Sequence, residues 1–300
     1  MNHGTAAADM TGRTCMITGA TSGIGKAAAL GLARLGASLV LVGRSRDRGE
    51  RTLEEVQRVS TSGEVDLRLA DLSSQAEIRQ LAKDFLATGR PLHVLLNNAG
   101  LINRRREESV DGIEMTFAVN HLAYFLLTEL LLERLQSSAP ARIVNMASDA
   151  HEQAGGRLDF DDLESRRRYG FMRVYGKSKL ANILFTRELA RRLEGRGVTA
   201  NCMHPGFVGT NFARNNGPIA SAAMLLLRPF IRSPEKGAET AIYLCASREV
   251  AGVSGQYFHD CRALRPRDFA ENDEDARRLW QVSERMTGLG AHSGGADPAA

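Results

Sequence analysis

Thr18-Gly19-Ala20-Thr21-Ser22-Gly23-Ile24-Gly25 is the stretch that decides the fold. It follows the apolar run Cys15–Thr18 and opens a segment, 23–35, whose apolar residues recur at three- and four-residue spacing. It therefore reads as a turn from a first strand into a first helix. Glycines let such a turn bend tightly and come close to a phosphate, while the free N–H groups and the positive end of the helix face the anion. Gly19, Thr21, Ser22, Gly23, Ile24 and Gly25 are thus candidates to hold the pyrophosphate of a dinucleotide, with a purely structural turn as the competing reading. The spacing is G-x-x-x-G-x-G, distinct from the common G-x-G-x-x-G.

Outward from that turn, short β-branched runs alternate with helical patterns. Strands are expected at 15–18, 38–42, 65–69, 94–97, 143–146, 199–203 and 256–258. Helices are expected near 23–35, 46–60, 74–87, 111–136, 174–194 and 235–247. Near-continuous apolar strands separated by helices predict a sheet buried on both faces. The expected class is α/β: a Rossmann-type, doubly wound parallel sheet of about seven strands in three α/β/α layers.

Composition narrows the function. Of 300 residues, 43% are hydrophobic and 25% charged, which excludes disordered, collagen-like and disulfide-scaffold chains. The net charge of +4 is too small and scattered to argue nucleic-acid binding. Cys15, Cys202, Cys245 and Cys261 lie far apart without metal-ligand spacing, so reduced thiols, no metal site and a cytoplasmic location are expected. No basic and apolar leader opens the chain. The apolar stretch Phe117 to Leu135 carries Asn120, His121, Glu129, Glu133 and Arg134, which suit a buried helix better than a transmembrane anchor. Arg104–Arg106 and Arg166–Arg168 fall in expected loops and read as solvated surface.

The second strand runs into Val42-Gly43-Arg44, where NAD-binding sites of this architecture commonly place an acid for the ribose 2′-hydroxyl. Arg44 stands there instead and can bind a 2′-phosphate, which favours NADP(H) over NAD(H). After the third strand come Asp71 and Leu72; Asp71 is read either as a contact to the adenine edge or as a helix N-cap. Tyr175 and Lys179, four apart on an expected helix, share a face. A phenol of ordinary pKa near about 10 needs a nearby positive charge to work as an acid or base at neutral pH.

The set as a whole resembles the short-chain dehydrogenase/reductase family over about residues 11 to 260. Thr18–Gly25 matches its T-G-x-x-x-G-x-G, Asn97-Asn98-Ala99-Gly100 its N-N-A-G, and Tyr175–Lys179 its Y-x-x-x-K, with Asn120, Ser148 and Pro205-Gly206 in order. The resemblance implies that Tyr175 exchanges the substrate proton, that Ser148 hydrogen-bonds the carbonyl oxygen, and that Asn120 anchors a water. Lys179 would hold the nicotinamide ribose and lower the Tyr175 pKa. It further implies cofactor contacts from Asn98, Ala99, Gly100, Pro205, Gly206, Val208 and Thr210. Ser178–Asn182, Phe185–Leu189, His204–Gly206 and the stretch around Leu279-Trp280 are similar to the retinol dehydrogenase-like branch, which includes the WW-domain oxidoreductase relatives. Ala147 departs from it, standing where that branch often repeats Ser.

These motifs use the whole sheet for one site, so one domain is expected over 10–287 with loose ends at 1–9 and 288–300. A substrate lid over 211–233 offers Phe212, Met224, Leu225 and Phe230 to a lipophilic aldehyde, ketone or secondary alcohol, such as a retinoid or steroid. Core packing and a shallow membrane contact are its other readings. The family likeness implies that the helices at 111–136 and 174–194 can pair into a homodimer. A non-catalytic NADP-binding sensor or scaffold is the alternative function; a sugar-nucleotide epimerase is disfavoured by the glycine spacing.

Overall fold

The computed structural model describes residues 9–61, 63–207 and 232–289. Seven parallel strands, β1 (Thr14–Thr18), β2 (Ser38–Gly43), β3 (Val65–Leu69), β4 (Val94–Asn97), β5 (Ala141–Met146), β6 (Val198–Met203) and β7 (Tyr257–His259), stand in the order β3-β2-β1-β4-β5-β6-β7. An eighth, β8 (Arg262–Leu264), is antiparallel to β7 and was not expected. It has three residues, all exposed, and so no apolar run to announce it. The turn into it passes through Asp260 (φ 46°) and Cys261 (φ 60°), non-glycine residues in the left-handed region.

The helices are α1 (Gly23–Arg34), α2 (Arg46–Val59), α3 (Gln75–Ala87), α4 (Met115–Ser137), α5 (Phe171–Arg192), α6 (Pro234–Ala246) and α7 (Asp273–Thr287). Their starts follow local chemistry. Ser74 accepts the N–H of Glu77 to cap α3, and Ser233 accepts that of Lys236, followed by Pro234 in the first turn of α6. The helix expected from residue 111 begins only at Met115, because the Glu114 carboxylate accepts the N–H groups of Thr116 (2.9 Å) and Phe117 (2.7 Å). Met115–Ser137 is long and apolar enough to span a membrane, with mean hydropathy 1.4 over an 18-residue window, yet 78% of that window is buried inside this fold, as a core helix would be.

β1, β2 and β4 are buried nearly throughout, with helices against both faces. Consecutive strands build outward from β1 in one direction to β3, and from β4 in the other to β7. The sheet therefore reverses its strand order between β1 and β4, and the loops leaving those two strands part to form a crevice.

α7 was missed as a helix, although its signals are local. Asn272 accepts the N–H of Asp275 (2.8 Å), Asp273, Glu274 and Asp275 fill the first turn, and Gly288 at φ 68° ends it. It runs from α5, where Arg187 pairs with Asp273, across the beginning of α4 to α3. There the Gln75 amide and the Arg79 guanidinium donate to the carbonyls of Met286 and Thr287. Trp280, 3% exposed, stands between Phe125 and Phe185 with ring centroids 5.0 and 5.8 Å away, and Arg192 covers it at 4.1 Å.

Removing a buried aromatic leaves a cavity that costs about 3–5 kcal/mol. Trp280→Ala is expected to lower the unfolding free energy by about that amount in urea denaturation. A loss below about 1 kcal/mol would show that α7 is not packed as described.

Candidate active site

The glycine turn and the N-N-A-G segment face each other across the crevice. Gly19 (φ 65°) and Gly23 (φ 53°) adopt backbone angles that side chains disfavour, and a Cβ at Gly25 would lie 2.4 Å from the carbonyl of Gly19 and 2.4 Å from the Asn98 amide. Thr18 ties the two segments together. Its hydroxyl accepts the N–H groups of Asn98 (2.9 Å) and Ala99 (3.1 Å), while the Asn98 amide donates to the carbonyls of Thr18 (2.8 Å) and Gly19 (3.3 Å). Asn98 thus braces the turn from beneath. Ser22, at the N-cap of α1, makes no side-chain capping bond, and no acid occupies the first turn, so the positive end of that helix is not neutralised locally.

Arg44 lies at the end of β2, its side chain 68% exposed, with Nη1 3.5 Å from Asp71 Oδ2. The other oxygen of Asp71 accepts the N–H (2.9 Å) and the hydroxyl (2.7 Å) of Ser73. Burial pushes the Asp71 carboxyl up, but the Ser73 bonds and the Arg44 charge outweigh it and leave it below the ordinary value. Asp71 does not cap α3, since Ser74 does. Leu72 is buried beside it. Val208, Thr210 and 211–231 of the expected lid lie outside the described residues, as do 1–8 and 290–300 of the expected loose ends. Pro205 and Gly206 follow β6, where Gly206 at φ 74° has Arg232 packed over it: an added Cβ would lie 2.9 Å from Nε.

Four residues from three places, Asn120, Ser148 and the pair Tyr175 and Lys179 on α5, converge at the far side of the crevice. Asn120 lies in a widened turn of α4, Ala118–Leu122, in which the N–H of Ala123 reaches back five residues to Ala118. The Asn120 side chain accepts the N–H of Leu101 (2.8 Å) and donates to the Leu101 carbonyl (2.9 Å) and the Ser178 hydroxyl (3.0 Å). Ser148, just after β5, accepts the N–H of Ala150 (3.1 Å), donates to Asp149 (2.9 Å), and is hydrogen-bonded with Tyr175. It is both a local cap and a partner of the phenol. Lys179, 2% exposed, donates to the Met146 carbonyl (2.9 Å), with Nζ 5.6 Å from the Tyr175 ring centroid and 5.8 Å from that of Tyr124. Gly100 leaves the space between them open, for a Cβ there would meet Asn120 Oδ1 at 3.3 Å and Lys179 Nζ at 3.7 Å.

In the cofactor-free protein burial drives the Tyr175 pKa above the ordinary phenol value, and the Ser148 hydrogen bond pulls only partly the other way. The Lys179 ammonium is pushed down to about 7 by burial and is only partly charged at neutral pH. Residues that the sequence did not single out frame the site. Tyr124 donates to the Ala99 carbonyl (2.7 Å), and Asn182 donates to the carbonyls of Asn120 (2.8 Å) and Met146 (3.0 Å). A polar residue on an otherwise apolar helix face was the available signal. The basic loops meet each other through acids, with Arg106 and Arg166 both pairing with Glu108 and Glu164.

Lys179 loses its proton near pH 7 in the fold and near 10.5 when unfolded. Between those values unfolding takes up a proton, so this residue makes the cofactor-free protein more stable as pH rises, and its burial costs most below 7. Lys179→Met is expected to be more stable than the parent at pH 6, with the advantage shrinking toward pH 10 in denaturant titrations. An advantage independent of pH would contradict the depressed pKa.

The fit to a dinucleotide rests on the glycine turn, the open helix end and the Arg44 guanidinium described above. Comparison with known proteins agrees with it. Residues 13–159 and 163–219 match the family model for short chain dehydrogenases. The chain is 43% identical over 278 residues to retinol dehydrogenase 12 of Mus musculus, spanning 93% of this chain and 87% of that protein. It is 44% identical over 296 residues to retinol dehydrogenase 14 of Homo sapiens, spanning 93% and 88%. A crystal structure of an uncharacterised protein from Mycobacterium paratuberculosis superposes with a TM-score of 0.76 at 31% identity, covering 94% of this chain and 95% of that one. The RhlG active-site complex with NADP from Pseudomonas aeruginosa gives 0.68 at 29%, covering 83% and 95%. This chain belongs to the short-chain dehydrogenase family and is an oxidoreductase related to the retinol dehydrogenases.

Proposed function

We propose that the protein is an NADP(H)-dependent oxidoreductase that interconverts a lipophilic carbonyl, of retinoid or steroid type, and the corresponding alcohol. The observation that carries the reading is the convergence of Tyr175, Ser148, Lys179 and Asn120 beside the crevice that the glycine turn opens. The bound nicotinamide would supply or accept hydride. The protein's part is to manage the charge that grows on the carbonyl oxygen. Ser148 Oγ holds that oxygen, and the Tyr175 hydroxyl gives it a proton in reduction or takes one in oxidation. A phenol that burial keeps protonated suits the donor role, and the positive charge that eases its ionisation comes with the oxidised cofactor and with Lys179.

Arg44 supports the choice of NADP(H), as its exposed guanidinium has, among the described residues, only a long contact to Asp71 and can take a 2′-phosphate. The names of the related retinol dehydrogenases support a retinoid-like substrate.

NADPH oxidation measured against aliphatic, aromatic, retinoid and steroid carbonyls, with NADH in parallel, tests the reading. Tyr175→Phe is expected to lower kcat by at least about 100-fold on the best substrate; near-parental turnover would remove Tyr175 from the reaction. Arg44→Leu is expected to raise the KM for NADPH about 10-fold or more with little change for NADH. Equal use of both cofactors by the parent would refute the 2′-phosphate assignment.

A further inference from the structure

α7 reaches the site through a buried polar chain. Asn182 has both amide hydrogens committed, one to the Asn120 carbonyl and one to the Met146 carbonyl that also receives the Lys179 ammonium. Its orientation is therefore set, and Oδ1 must face a donor. His121 Nδ1 lies 3.4 Å from that oxygen, and its Nε2 lies 2.9 Å from Ser283 Oγ on α7. A neutral imidazole carries one hydrogen. Placing it on Nδ1 lets His121 donate to Asn182 and leaves Nε2 as an acceptor; the Ser283 hydroxyl, which also has the Leu279 carbonyl within reach at 2.8 Å, then turns its one hydrogen to Nε2.

We infer that His121 and Ser283 are positioning residues of the site, a hydrogen-bond chain from Ser283 through His121 to Asn182 holding the main chain of Asn120 and the carbonyl that receives Lys179. The inference rests on the reading of Asn120 and Lys179 given above.

A bulky apolar residue at 121 would fill the space, since Phe117 and Phe185 flank the ring at 5.1 and 5.9 Å. An imidazole completely removed from solvent, with both nitrogens opposite polar partners, does something packing alone does not require. Burial pushes its pKa down to about 4, so it stays neutral at any pH near neutrality. Its ring and hydrogen-bond partners among the described residues, Phe117, Phe185, Asn182 and Ser283, carry no charge.

Substitutions at 121 separate positioning from packing. In His121→Asn the side-chain amide stands where Nδ1–H stood and keeps a donor toward Asn182, whereas His121→Leu keeps only bulk. We expect His121→Asn to retain at least about 10-fold more kcat and tighter NADPH binding, read by cofactor fluorescence, than His121→Leu. Ser283→Ala should lower kcat about 3- to 10-fold in the parent, with Ser283→Thr restoring most of it. The same change should be silent in the His121→Asn background, whose side chain is too short to reach Ser283. Side-chain 15N spectra of the cofactor-free protein should show His121 protonated at Nδ1. The inference is overturned by an Nε2–H tautomer, by equal NADPH affinity in the Asn and Leu variants, or by Ser283→Ala acting equally in both backgrounds. The tautomer and the binding constants need no turnover, so a failure of the proposed carbonyl chemistry, seen as an unaffected Tyr175→Phe, is distinguishable from a failure of the positioning chain.

Discussion

An ammonium 2% exposed, with no carboxylate hydrogen-bonded to it among the described residues, is the constraint around which the site is arranged. Burial of a charge without a counter-ion is costly unless polar groups replace water around it. Here the replacement is one main-chain carbonyl and the faces of two tyrosine rings. The compensation is incomplete, and the depressed pKa measures the deficit. A lysine so placed is poised to gain from any ligand that brings acceptor oxygens, which is the property a ribose-binding residue needs. Asn182 and Gly100 follow from the same constraint: the first steadies the carbonyl, and the second leaves the side of the ammonium open.

Much of the fold was legible because its strands are buried on both faces. Val94–Asn97 emerges within the expected limits, since an apolar run bounded by polar turns has few other interpretations. β8 was not legible, as three exposed residues at a sheet edge carry no pattern. α7 was legible in principle from Asn272, the acidic first turn and Gly288, but among the described residues no strand follows it to complete the βα alternation that organised the rest of the reading.

For the site, glycine spacing and the Tyr175–Lys179 interval are local and were read directly. The upward push on the cofactor-free Tyr175 phenol was not, because it depends on how much water the fold removes. Asp71 shows the same limit on a smaller scale: its carboxylate turned to Ser73 and Arg44, a choice made by the loop geometry after β3. His121, Asn182 and Ser283 could not be connected in sequence, being separate polar residues on helices that meet only in three dimensions.

The contact between His121 and Ser283 spans 162 positions of sequence. Closing so wide a loop has an entropic cost that local contacts do not share, and a contact of that span is favoured only after intervening elements have folded. During synthesis the glycine turn, Arg44 and the N-N-A-G segment, all within the first third of the chain, can assemble long before the helix that braces the opposite side of the site has been made. The order of the genetic message thus separates in time two halves of a site that the folded protein presents as one.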